Sequence, residues 1–247
     1  MVIGIIAVLI SLLLPTLGKA REQATRLKCM SYVKQLGVAN QMYLSANNNW
    51  LPYSNWGPTS PTGARIGWLY DGGAHGLAGS PGLNATSSQV AALLETGVFW
   101  PLLKNRDVYR CPTHVKAEAA VFGRAWSDNF TSFLMNGAVN SYGRTHSNGK
   151  IKMWKSNHFR PTDILMWEAD ERNGEAWNDG SSYPGESFDP STPSAAGLAV
   201  RHGKIASMVF HDSHAEWYPH SDFYRLALQA NGRRNELWCA PDSTNGR

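Results

Sequence analysis

Fourteen residues at the N-terminus, Met1 to Leu14, carry no charge and a single polar side chain, Ser11, before Pro15 interrupts the run. A basic stretch follows at once, with Lys19, Arg21, Arg26, Lys28 and Lys34 against one acid, Glu22. A continuous apolar segment has to be covered by lipid, by a core or by other copies of itself, because left in water it drives association. As a helix it would be about 21 Å long, short of the ~20 residues that span a bilayer. No basic residue precedes it, as a secretory signal peptide would require.

Pro15 lacks an N–H and crowds the preceding turn, so a helix through it is expected to kink there. Beyond it Leu17, Ala20, Ala24, Leu27 and Met30 recur at helical spacing, continuing less cleanly to about Leu44, and Asn47-Asn48-Asn49 closes the pattern. The expectation is an N-terminal membrane or assembly helix over 1–46, kinked at Pro15, and a globular domain over 47–247.

The chain has 247 residues and a net charge of +4, but residues 19–34 account for all of that excess. The remainder holds 18 basic and 18 acidic residues and cancels. A nucleic-acid binder needs a basic face on its folded part, so nucleic acid is excluded as a partner. Three cysteines, Cys29, Cys111 and Cys239, form no CxxC pair, which removes zinc-ribbon and thioredoxin-like readings. A body outside the cytoplasm would allow a Cys111–Cys239 disulfide; three buried thiols is the alternative.

Residues 51–89 are rich in Gly, Pro, Ser and Asn and read as loop. A short helix is expected from Ser88 to Thr96, with strands at Val108–Cys111, Phe130–Met135 and Ile164–Trp167. Ile205–His211 and His214–Tyr218 flank Asp212-Ser213 and read as a hairpin with a two-residue turn, although Ser213 stands where such a turn wants Gly. A last helix is expected from Tyr224 to Ala230, capped by Ser221.

The hairpin concentrates metal-ligand types. With a two-residue turn His211 and His214 would face each other beside Asp212, a geometry for chelation or for an ordinary cross-strand pair. Eight acids between Asp163 and Asp189, against Arg172 alone, offer oxygen ligands for Ca²⁺ or simply a solvated loop. Trp50, Trp56, Trp68 and Tyr70 in the Gly-rich loops would stack on sugar rings or anchor the loops to the core. No GxSxG, HExxH, P-loop or GxGxxG motif is present, so no enzyme is expected.

Val2-Ile3-Gly4-Ile5-Ile6-Ala7-Val8-Leu9-Ile10-Ser11-Leu12-Leu13-Leu14-Pro15 resembles the N-terminal helix of type IV pilins and type II secretion pseudopilins. Arg21, Cys29-Met30-Ser31, Lys34-Gln35-Leu36-Gly37, Met42-Tyr43 and Leu51-Pro52 resemble a bacterial subgroup of these pilin-like proteins. That subgroup carries His, nine residues, then Asp-Gly; here His202 is followed at that spacing by Asp212, with Ser213 replacing Gly. Tyr109-Arg110-Cys111-Pro112 fits as well. The family helix opens with a cleaved Gly, a methylated Phe and Thr-Leu-Ile-Glu-Leu-Leu; Met1 falls downstream of these, so a missing start is expected.

The resemblance implies an α+β fold, with a long N-terminal helix packed on a mainly antiparallel sheet. It implies a pilin-like subunit of a type IV pilus or type II secretion filament, assembling through Ile3, Ile6, Leu9, Leu13 and Pro15. Its partners would be further copies, other pilins or pseudopilins, the inner-membrane assembly machinery and the lipid bilayer. The body would lie outside the bacterial inner membrane, against the positive-inside reading of Lys19 and Arg21. The alternative is a membrane-anchored extracytoplasmic domain that binds carbohydrate or another surface ligand and never polymerises.

Overall fold

A computed structural model describes residues 2–55, 66–71, 87–114, 131–170, 180–184, 197–229 and 232–247. Helix α1, Val2–Ala46, contains Pro15 without a break. Just after the proline, Thr16 donates its hydroxyl to the Leu13 carbonyl at 2.8 Å. The helix ends where the Asn run predicts. Asn48 and Asn49 take positive φ, and the Asn49 N–H returns to the Leu44 carbonyl at 2.9 Å, the left-handed exit that Asn tolerates.

The buried stripe of α1 is not the expected one. Leu17 and Leu27 stand exposed, as do Ala20 and Ala24, and only Met30 of the expected set is half-buried. The buried residues are Cys29, Tyr32, Val33, Leu36, Gly37, Ala39, Asn40 and Leu44. Their spacing is equally helical, so periodicity alone could not choose between faces. Burying Val33, Leu36 and Leu44 stabilises the docked half by about 1.5–3 kcal/mol each.

Two short helices follow, α2 at Ser87–Leu94 and α3 at Trp100–Leu103. Residues Arg106–Tyr109 form a 3-10 turn rather than the expected strand. The Asn105 side chain accepts from the Asp107 N–H at 3.0 Å, a local bond that competes with extended backbone.

The sheet has five strands: β1 Phe133–Asn136, β2 Ile164–Glu168, β3 Ser181–Ser182, β4 Ile205–Phe210 and β5 Ala215–Pro219. Their order is β3-β1-β2-β4-β5, with only the β1–β3 pair parallel. This is the expected α+β, mainly antiparallel, pilin-like architecture. Helix α4, His220–Leu228, starts directly from Pro219 at the end of β5, so Ser221 lies inside its first turn instead of capping it.

Alternation sorts side chains between the two faces of the sheet. Met208 and Phe210 of β4 pack with Phe223 and Leu226 of α4, whereas Val209 packs with the α1 residues. Strand β2 breaks the alternation, with a register shift between Ile164 and Met166. Leu165 and Met166 both join the α1-side core, while Ile164 and Trp167 join the α4 side. Such an extra residue reverses the facing of everything beyond it, and it turns Glu168 toward α1.

Candidate functional site

Two features bear on function, and α1 carries both. The first is its free half. From Leu13 to Ala24 every described side chain is exposed, including Leu13 and Leu14 at 63 % each. Ile10 and Leu17 extend the apolar surface, and the side chains of Ile3, Ile6 and Leu9 lie outside the described set. Among the described residues no helix is long and apolar enough to cross a membrane.

The second is a buried polar cluster beneath the first docked residue. Cys29 of α1, Cys111 after the 3-10 turn, Glu168 at the end of β2 and His202 before β4 are all buried. Their ligand-type atoms all lie within 4.8 Å of one another. Cys29 Sγ donates to Glu168 Oε1 at 3.2 Å. His202 Nε2 lies 3.2 Å from the same oxygen and 3.3 Å from Cys111 Sγ. Arg201 Nε donates to Glu168 Oε1 at 2.7 Å. The Ser207 N–H and hydroxyl donate to Oε2 at 3.1 and 3.0 Å.

The carboxylate is thus met on both oxygens. Burial works against its ionisation, but the Arg201 guanidinium and then His202 overcome this and hold Glu168 well below the usual range. Burial likewise opposes the charge on His202, and its bonds to Cys111 and Glu168 raise it to about 9. Burial pushes Cys111 up, while hydrogen bonds with Cys29 and His202 outweigh it and bring the thiol down to about 6. Cys29 is raised, by burial first and by its contact with Cys111.

The expected hairpin forms, but with a three-residue loop. Ser213 N–H bonds the Phe210 carbonyl at 2.9 Å, Phe210 N–H bonds His214 at 3.1 Å, and Ser213 has φ of 71°. A tight turn followed by one left-handed residue needs a single positive φ, which a serine accommodates more readily than the two of a type I′ turn. The loop grips the helix: Ser213 Oγ donates to the Gly37 carbonyl at 2.9 Å and Gln41 Nε2 to the His211 carbonyl at 2.9 Å. At Gly37 an added Cβ would lie 2.6 Å from Val209 Cγ2.

That loop separates the expected ligands His211, Asp212 and His214. His211 is buried and stacked on Phe159 at 4.2 Å, whereas His214 lies over Phe210 and bonds Asp212 at the surface. The metal-ligand geometry among the described residues is the Cys29 cluster instead. The family pair His202 and Asp212 brackets β4 rather than forming one site; His202 serves the cluster, and Asp212 accepts from the His214 N–H at 2.9 Å.

The Cys111–Cys239 disulfide is absent, and all three thiols are buried and unbridged. The Cys111 N–H bonds Ser132 Oγ at one end of β1, while Cys239 Sγ accepts from Asn136 at the other. At about 3.3 Å per residue these ends are roughly 13 Å apart, beyond the reach of a disulfide.

The acidic stretch is not one loop. Asp163 pairs with Arg160 at 2.7 Å, Glu168 is in the cluster and Asp170 is buried. Glu171, Glu175, Asp179, Glu186 and Asp189 lie outside the described residues. Trp68 and Tyr70 are buried, with Trp68 stacked on Tyr109 and donating to the Gly180 carbonyl at 2.9 Å. Trp50 is exposed over Lys155 on a cleft of about 350 Å³ lined also by Tyr43, Tyr53 and Met153. Trp56 lies outside the described residues.

Sequence reasoning did not bring Cys29, Glu168, Arg201 and Ser207 together as one site. One signal was available: a charged residue, Glu168, closing the otherwise apolar run Ile164–Trp167. Carboxylates are almost never fully buried without a partner.

No curated protein and no solved structure matches the chain. A family described as "Protein of unknown function (DUF1559)" matches residues 18–185, about two thirds of its length, and the chain belongs to that family.

Proposed function

We propose that the protein is a pilin-like structural subunit, anchored in the bacterial inner membrane and assembling through the free half of α1 into a pilus or secretion-type filament. The observation that carries this reading is the division of one helix into an exposed apolar half and a docked half. The exposed half supplies what assembly needs, an apolar surface on which Leu13, Leu14 and Leu17 are each at least half exposed. The docked half fixes the direction in which that surface leaves the body.

The test is fractionation and cross-linking of the full chain in a bacterial host. Wild type should sediment with membranes, and Leu13→Cys and Leu17→Cys variants should cross-link into ladders. A chain that remains monomeric and leaves the membrane with a salt wash would overturn the reading. Gly-Phe-Thr-Leu-Ile-Glu encoded in frame upstream of Met1 would support it independently.

The alternative, an anchored binding domain, has the Trp50 cleft in its favour. Membrane association without cross-linked ladders, together with saturable polysaccharide binding lost in Trp50→Ala, would favour that second reading.

A further inference from the structure

The Cys29 cluster goes beyond what assembly requires. Four side chains of metal-binding type come from four separated segments and converge within 4.8 Å in a buried pocket. A tetrahedral ion with bonds of about 2.0–2.3 Å separates its ligand atoms by roughly 3.3–3.8 Å. The observed separations of 3.2 Å for His202–Glu168, 3.3 Å for Cys111–His202 and 3.2 Å for Cys29–Glu168 are close to that scale. Small shifts, outward for these three pairs and inward for any near the 4.8 Å limit, would admit an ion.

We propose that Cys29, Cys111, Glu168 and His202 form a four-ligand site for one divalent transition ion of the zinc class, with Arg201 as its balancing charge. Two sulfurs and an imidazole select a borderline-soft ion over Mg²⁺ or Ca²⁺. Ion binding displaces two protons to solvent, one from Cys29 and one held between Cys111 and His202. The dication, two thiolates, one carboxylate, a neutral imidazole and the Arg201 cation then sum to zero.

Without the ion, Glu168 and Arg201 sum to zero, and the Cys111–His202 pair is neutral whichever of the two holds their shared proton. The pocket is electroneutral in both forms, as a site this deeply buried must be. Ser207 holds the second carboxylate oxygen, which fixes the direction of the ligating one.

Because Cys29 arrives on α1, the site is complete only when the helix has docked. The ion is therefore structural and closes the helix onto the sheet, in the way that metal binding couples to folding.

The experiment uses the full chain purified under reductant, with Co²⁺ and Zn²⁺ as probes and circular dichroism to confirm folding. One Co²⁺ per chain is expected, with thiolate-to-cobalt charge-transfer absorption and intense tetrahedral d–d bands that Zn²⁺ abolishes. Cys111→Ser and His202→Gln should each weaken binding at least about 10-fold, and His214→Ala should leave it unchanged.

Removing a buried ligand destabilises the fold, so the wild-type cobalt spectrum carries the test by itself. A folded wild-type chain without charge-transfer absorption overturns the proposal. So does charge transfer that survives the Cys29→Ser/Cys111→Ser double substitution. A Cys29–Cys111 disulfide in place of bound metal, found by trapping thiols at cell lysis, overturns it as well.

Discussion

The two halves of α1 have similar helical order and opposite surroundings. Between Leu13 and Lys28 no described side chain is buried, whereas from Cys29 to Leu44 one face is sealed against β4, β5, α3 and the 3-10 turn. Ile10, Leu13, Leu14 and Leu17 are as apolar as Val33, Leu36 and Leu44, so hydrophobicity does not distinguish the halves. What distinguishes them is complementary shape and polar anchoring. The docked half has Gly37 at its closest approach to Val209, Gln41 and the Gly37 carbonyl on the hairpin loop, and Cys29 on Glu168. An apolar stripe supplies the drive to be covered, but a matched partner decides where it is covered.

Four variants break or sharpen this contrast, beginning with the largest effect. Glu168→Leu removes the carboxylate that the Arg201 guanidinium, 1 % exposed, meets at 2.7 Å. Loss of one partner from a buried ion pair costs about 3–5 kcal/mol, so chemical denaturation should show a stability loss of that order and the docked half of α1 should lose amide-exchange protection.

Gly37→Val forces a Cβ into the space occupied by Val209. A loss of about 1–3 kcal/mol is expected. Its partial rescue by Val209→Ala in a double-mutant cycle would locate the contact.

His211 tests the hairpin loop through pH. Burial lowers its pKa to about 3 from an ordinary 6.5, and its ring nitrogens have no hydrogen-bond partner among the described residues. Between these values the unfolded chain binds the proton and the folded chain does not. Stability from this group is therefore complete above pH 6.5 and falls as pH drops toward 3, by about 1.4 kcal/mol per unit. His211→Phe should keep the stack on Phe159 and remove that slope, measured as the wild-type-minus-variant difference in denaturation between pH 7 and 4.

The smallest effect on stability belongs to the free half. Leu13→Glu with Leu17→Glu should change unfolding by no more than about 0.5 kcal/mol, as expected for exposed sites. The same pair should abolish self-association and vesicle binding. A large stability loss would mean that this half is covered by its own body.

Much of the architecture was legible in advance. The long helix and its Asn-rich end, the central strands and the β4–β5 hairpin follow from local signals: apolar periodicity, left-handed Asn and turn residues between β-rich runs. The candidate cluster was not legible. His202 drew notice for its spacing from Asp212, yet its partners lie far away in sequence at Cys29, Cys111 and Glu168.

The hairpin loop shows the same limit on a small scale. Asp212-Ser213 announced a turn, but one residue more in the loop moved His211 inward and left His214 outside. The acidic stretch divides similarly, because Asp163 and Glu168 sit at the two ends of a buried strand while the eye reads a charged segment.

By itself the sequence determined the greasy N-terminal run, the helix that carries it and the β-rich body, since each rests on neighbours along the chain. Tertiary structure alone decided which face of α1 is buried and that Glu168 turns toward it. The first depends on the shape of β4 at Gly37. The second depends on a one-residue shift in β2 that reverses every side chain beyond it. Neither leaves a mark in local composition, because the first is set by Val209, more than a hundred positions from Gly37, and the second by pairing with β4, roughly forty positions along the chain.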